Sequence, residues 1–345
     1  MNKVDYIIVG GGYAAMFFAH QLIKAQKSFV VFADKELGGS HVSAGIINPV
    51  VLKKFTTFWK AHEQINFLHQ TLQEIQNYTG DNYFINAPIH RILHDENEKN
   101  LWLKKREKED LKDFLSSEFI SLDVVNNPFE TGKVNLSGRL NVKVFFDDMK
   151  TYLESTDSFI TDSFDYNAVN TSENIYKNIE YKNIVFCEGI KVKKNPFFKD
   201  IPVVPNKGHQ IKVSLSTPVP ANITIKKKHF LFPLNDKQYF YGGTYDREHL
   251  DVQIDKKYVE QLKNGLQEIY PYHFNVDEVH YGFRPTVKDR RPILGRHPEF
   301  ENFYVFNGLG ARGILNGCYF SKSLFDFIEN KNPLPEEVDL KRFSV

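Results

Sequence analysis

The sequence predicts an α/β protein in which a parallel-sheet domain, assembled from distant segments, is interrupted by an α+β domain with a mainly antiparallel sheet. Three observations carry this expectation. A short apolar run, a glycine turn, a helix-period stretch and a second apolar run open the chain. Two further apolar runs end in glycine far downstream, at Gly189 and Gly308. Between Val203 and Tyr245 the texture changes to strand-like alternation.

Taken in order, Tyr6-Ile7-Ile8-Val9 reads as a strand buried on both faces, ended by Gly10-Gly11-Gly12. From Tyr13 to Lys27 the period becomes helical, with Ala15, Phe18 and Leu22 on one face. Phe29-Val30-Val31-Phe32 is a second buried strand and completes a βαβ unit. Residues 58–78 read as a helix, and the alternating charges of 104–110 as a solvated surface. Residues 138–153 give a turn, a short strand and a helix, and Asn183-Ile184-Val185-Phe186 a strand ending at Cys187-Glu188-Gly189. Gln210-Ile211-Lys212-Val213 alternates, a hairpin turns near Asn235-Asp236, and a helix covers 258–269. Phe303-Tyr304-Val305-Phe306 is the last buried strand; a final helix stops before Asn332-Pro333.

Composition narrows the function. The 345 residues are 41% hydrophobic and 25% charged, ordinary for a globular protein rather than a disordered or coiled-coil one. A net charge of +1 gives no whole-surface attraction to nucleic acid or anionic membrane. The two cysteines, Cys187 and Cys318, form no CxxC pair, so neither a disulfide framework nor a metal site is expected, in keeping with a cytoplasmic protein. The apolar stretch from Tyr6 to Ile23 is broken by three glycines, His20 and Gln21, so no membrane span is expected.

Gly10-Gly11-Gly12-Tyr13-Ala14-Ala15 matches G-x-G-x-x-A between a strand and a helix. Gly10 permits the tight turn, Gly12 the approach of a diphosphate, and Ala15 close helix–strand packing. The helix N-terminus then offers free N–H groups and a favourable dipole to the anion. An acid at the end of the second strand is expected to hold a ribose; Ala33 stands there and Asp34 follows, so Asp34 is the candidate after a small shift.

With Gly39-Ser40-His41-Val42-Ser43-Ala44-Gly45 and Gly282-Phe283-Arg284-Pro285-Thr286-Val287-Lys288-Asp289-Arg290-Arg291-Pro292-Ile293-Leu294-Gly295, the opening motif resembles the D-amino-acid oxidase superfamily, glycine oxidase-like flavoproteins in particular. Phe186-Cys187-Glu188-Gly189, Pro205-Asn206-Lys207-Gly208-His209-Gln210 and Gly242-Gly243-Thr244 keep that family's order. The resemblance implies a Rossmann-like FAD-binding domain (residues 1–55, 138–200 and 278–345) and an inserted substrate domain (56–137 and 201–277). It implies non-covalent FAD, held by Gly10, Gly12, Tyr13, Ala14, Ala15, Asp34, Ser43, Ala44, Gly45, Cys187 and Gly189. Gly308, Leu309, Gly310, Ala311, Arg312, Gly313 and Ile314 are implied at the N1–C2=O edge of the flavin.

Arg284 is the implied grip for a substrate carboxylate, a task that suits a guanidinium fork; an ion pair with Asp289 or another acid is the alternative. Arg312 is a second candidate, and Tyr241 and Tyr245 are either hydrogen-bond donors beside the cavity or packing residues of a sheet. His41 and His209 are either titrating groups near the flavin or structural histidines. Lys53 and Lys54 either meet an acidic substrate or face solvent. The implied reaction is hydride transfer from the carbon of a C–N bond to flavin N5, giving an imine that water hydrolyses. The partner is a small amine or amino acid, with oxygen a candidate electron acceptor. Two alternatives stay open: an oxidase modifying the aminomethyl group of a tRNA wobble uridine, and a flavin-binding protein without turnover.

Overall fold

Two sheets organise the chain, and their shared border sets up the site. The computed structural model describes residues 2–36 and 38–343. In the first sheet the strand Asn2–Val9 runs parallel to Phe29–Ala33 on one side and to Ile179–Phe186 on the other. Phe159–Thr161 extends one edge, and Phe303–Asn307 adds in parallel to the far half of Ile179–Phe186. The helix Tyr13–Lys24 and the helix Gly313–Glu329 pack together on this sheet, because glycine lets them close up. A Cβ at Gly313 would stand 2.9 Å from the Tyr13 ring, and one at Gly317 would meet Phe17, Tyr13 and Leu309 at 3.3 Å. Tyr6, Ile8, Ala15, Phe17, Phe18 and Leu22 are buried in this core.

The second sheet has the strand order Phe274–Thr286, Val204–Leu215, Tyr239–Gly242, Phe230–Pro233, Thr224–Lys226, Ile89–Ile92, Thr131–Val134, Leu115–Ile120. Every pairing is antiparallel except Thr224–Lys226 with Ile89–Ile92. The helix Lys256–Ile269 covers one face, where Ile211, Val213, Leu231, Tyr241, Leu262 and Leu266 form a separate apolar cluster. A small third sheet, Ile46–Ile47, Gly138–Leu140 and Phe84–Ile85, lies between the two larger ones.

The expected domain limits differ from this arrangement in two places. The strand Phe274–Thr286 pairs along its whole length with Val204–Leu215, so the border expected at 278 falls inside one antiparallel ladder. The helix Ala61–Thr79, expected in the substrate domain, buries Ile65, Leu68, Leu72 and Ile75 in the core of the parallel sheet's helices. Both outcomes follow from long-range packing, which local periodicity does not encode. No helix among the described residues is long and apolar enough to cross a membrane, and both cysteines are free and buried.

Candidate functional site

The three strand–glycine junctions expected from the sequence meet at the carboxyl edge of the parallel sheet. Gly10, at φ +119°, sits so close to the Cys187 carbonyl that a Cβ would collide with it. Asn307 ties the other two together: its amide donates to the Gly189 carbonyl at 2.9 Å, and its Oδ1 accepts from the Gly308 N–H at 2.7 Å. The crevice outside the carboxyl ends of such strands is where open α/β sheets take their ligands.

Two helices point their N-termini into this edge. The helix Tyr13–Lys24 starts at Gly12 with no side-chain cap and no acid in its first turn, and Gly313–Glu329 starts after Arg312 in the same way. Free N–H groups without a competing carboxylate suit an anion. The segment 39–45 folds over the first of them: Ser40 Oγ lies 3.3 Å from the Tyr13 nitrogen, and the Tyr13 and Ser43 hydroxyls are 2.7 Å apart. Gly45 (φ +68°) faces the Leu140 carbonyl with no room for a side chain, and its own carbonyl accepts from the Leu140 N–H at 2.7 Å. Ala14, Ala15, Leu309 and Ile314 are buried behind this edge, whereas Ala311 is exposed. A flavin dinucleotide fits the arrangement: glycines where backbone must approach a diphosphate, and two uncapped helices where negative charge would collect.

Asp34 lies one residue past the strand Phe29–Ala33, and its carboxylate already has partners. Lys191 Nζ donates to it at 2.7 Å and the Ser163 hydroxyl donates to its other oxygen. Those donors hold its pKa below the usual carboxylate value, against the opposing effect of burial. Beside it, Glu188 is half-buried and accepts from Tyr166 and from Asn195 Nδ2 at 2.6 Å; desolvation pushes its pKa up to about 7.

On the antiparallel sheet, the side chain of Arg284 lies across Gly208 and reaches Gly243. Its Nη1 donates to Asn206 Oδ1 at 3.1 Å and to the Thr244 carbonyl at 3.0 Å, and its guanidinium sits 4.4 Å from the Tyr245 ring centre. The alternative ion pair with Asp289 does not form: that carboxylate accepts from Arg342 Nε at 2.9 Å and from the Arg291 backbone. Burial lowers the pKa of Arg284 with no carboxylate to offset it.

Arg312 donates to Gln64 Oε1 at 2.8 Å and lies over the Phe58 ring at 4.1 Å, while its Nε is buried without a partner. Burial, with Arg291 nearby, draws its pKa down to about 9, still charged at neutral pH.

Tyr241 is a correction. It is fully buried on the face covered by the helix Lys256–Ile269, against Gly265 and His229, so it does not face Arg284. Strand alternation decides this: Gly242 lies on the Arg284 face, and the residue before it must lie on the other. Tyr245, past the strand, does reach Arg284. His209 lies on the helix face too; its Nε2 accepts from the Asp255 backbone and its ring stacks on Tyr258. His41 stacks on Phe146 at 4.1 Å, and Lys53 and Lys54 face solvent. Asn206 carries no sequence signal beyond the block that contains it, and Gln64, in the helix Ala61–Thr79, carries none.

This constellation fits a dinucleotide-binding fold with a cationic position on the antiparallel sheet. Residues 157–326 match the FAD dependent oxidoreductase family DAO. The fold is that of glycine oxidase from Geobacillus kaustophilus, with TM-score 0.82 at 16% identity and all of both chains covered. Glycine oxidase of Bacillus subtilis is 22% identical over 95% of this chain and 93% of its own. The tRNA 5-methylaminomethyl-2-thiouridine biosynthesis bifunctional protein of Leptospira borgpetersenii is 29% identical over 196 residues, 46% of this chain and 30% of its own. In the bifunctional relatives, the match spans less than a third of the relative's length. The family match thus spans residues 157–326, about half of the chain, while the fold of glycine oxidase spans all of it.

Proposed function

We propose that the chain oxidises the C–N bond of a carboxylate-bearing amine or amino acid. The observation that carries this reading is Arg284, a desolvated guanidinium fixed by Asn206 and the Thr244 carbonyl with no protein carboxylate on it. A buried cation held in this way is costly unless a ligand anion completes it. Arg284 binds the carboxylate through its fork, Asn206 and Thr244 fix the fork's plane, and the Tyr245 ring covers one side.

Gly10, Gly12 and the first turn at Tyr13 would hold the FAD diphosphate, with Ser43 to Gly45 beside it. The turn from Gly308 to Ile314 would meet the N1–C2=O edge of the ring. When bound, FAD supplies the two-electron acceptor of the oxidation. No side chain near Arg284 is needed as a base if the amine arrives uncharged; the resulting imine then takes up water and releases its amine.

Similarity to the tRNA-modification protein supports a second reading with the same chemistry on a nucleoside-borne aminomethyl group. Its expected basic patch is weak. In the stretch 226–228, Lys226 lies over the Phe230 ring and Lys227 pairs with Glu268 at 2.8 Å.

The test is an anaerobic absorbance titration of the purified protein with a panel of amines and amino acids. Bleaching of a flavin spectrum by a carboxylate-bearing amine is the expected result. A flavin spectrum that no such compound bleaches would overturn the reading.

A further inference from the structure

We infer that the sheet face bearing Arg284 carries a second anion-binding position, built on Arg139, so that the substrate is an amine with an acidic group at each end. This rests on the assignment of Arg284 to the first of those groups.

Arg139 lies in the short strand Gly138–Leu140, between Ile46 and Ile85. Its neighbours Gly138 and Leu140 turn toward Phe84 and the parallel-sheet core. Alternation therefore sends Arg139 the other way, onto the antiparallel sheet. There its guanidinium lies 4.1 Å from the centre of the Phe232 ring.

From that ring a row of residues on the same sheet face leads to Arg284. Phe232 stacks on Phe240 of the next strand, at 4.7 Å and 10°. The tip of the Phe240 ring comes within 3.1 Å of where a Cβ on Gly242 would stand, and Gly243 follows under Arg284. Two aromatic rings, both buried, and two glycines thus lie between the guanidinia on this face. They are separated by about two strand spacings across the sheet and by an offset along the strands, on the order of 10–15 Å in all.

Arg139 is only 6% exposed, yet its guanidinium has no hydrogen bond or ion pair among the described residues, and its Nε is buried without a partner. Arg91 shows how this chain treats a buried arginine with a structural role. At 5% exposure it is paired with Glu98 at 2.9 Å and donates to the Lys227 carbonyl. No acid does the same for Arg139, and a guanidinium desolvated without a counter-charge is unfavourable until an anion reaches it. Phe232 stacks against one face of the fork and leaves its N–H edge for a carboxylate or another planar or tetrahedral oxyanion. A monocarboxylate amine satisfies Arg284 alone; a diacid satisfies both cations.

The experiment uses flavin-loaded protein and unreactive probes: glutarate, adipate and pimelate against pentanoate, hexanoate and heptanoate. Binding is read by calorimetry and by perturbation of the visible flavin spectrum. At least one diacid is expected to bind roughly 10- to 100-fold more tightly than the monoacid of equal length, the span of one charge-assisted contact. In Arg139→Gln that preference disappears while monoacid affinity and flavin content stay as in the parent. Arg139→Lys keeps part of the preference. Equal binding of diacids and monoacids by the parent protein overturns the inference, whatever the variants do. So does an Arg139→Gln protein that keeps the preference, or one that loses both ligand classes alike. Arg284→Gln separates the underlying reading: unchanged monoacid affinity there removes the carboxylate role of Arg284 itself.

Discussion

Arg284 lies 4.4 Å from the ring of Tyr245 and donates to the carbonyl of the residue before it, so one short segment both aims and covers the guanidinium. Strand pairing brings Asn206 to its other side, because Asn206 and Arg284 are direct partners in the ladder. The cation is built into the sheet rather than set on a free loop.

Replacing Arg284 by Gln is therefore expected to weaken a carboxylate ligand by about 3 kcal/mol, roughly 100-fold, without loss of flavin. Ligand titration of the flavin spectrum checks both halves. A variant that binds carboxylates as the parent does would remove the arginine from the site.

Tyr241→Phe is expected to leave turnover and ligand affinity as they are. The hydroxyl is buried without a partner, so its loss should shift stability by no more than about 1 kcal/mol, in either direction. A large fall in kcat would contradict the placement of this ring on the helix face.

Gly10 combines a left-handed φ of +119° with direct contact to the Cys187 carbonyl. Gly10→Ala must shift one of two paired strands, and a loss of about 3 kcal/mol is expected together with reduced flavin content. Denaturant unfolding and the ratio of visible to ultraviolet absorbance measure the two effects. Gly12→Val should act differently, since a side chain there meets only the Ser40 hydroxyl, at 2.9 Å from its first carbon. The fold is expected to survive while the diphosphate position is filled, giving apoprotein.

Glu188 predicts a pH dependence. Its carboxyl titrates near 7 in the folded chain against 4.5 when unfolded, because burial, aided by Asp34, outweighs the hydrogen bonds from Asn195 and Tyr166. The folded state thus keeps a proton that the unfolded state has lost. The corresponding stability is full below pH 4.5 and is lost as pH rises through 7, by about 3 kcal/mol in total. Glu188→Gln should flatten this slope in unfolding curves measured between pH 4.5 and 7.5. An unchanged slope would place its origin in other groups.

What was legible in the chain follows from how far each signal reaches. Gly10, Gly189 and Gly308 each end a buried strand, and that junction is a local property of apolar runs and turn chemistry. Asp34 was legible only as an acid near a strand end; its partners Lys191 and Ser163 come from distant segments. The border expected at 278 shows the same limit, because a strand's partner is chosen by a ladder that no single segment records.

The sequence by itself determined the βαβ start, the uncapped helix entry at Gly12 and the fold family, since these rest on residues adjacent in the chain. Only the tertiary structure decided which arginines stand without a counter-charge. Asp289 is five residues from Arg284 yet pairs with Arg342, and Arg139 lies on the sheet that carries Arg284 despite the chain distance between them. It also decided that Tyr241 faces a helix. The physical reason is parity: one residue's shift along a strand exchanges site for core.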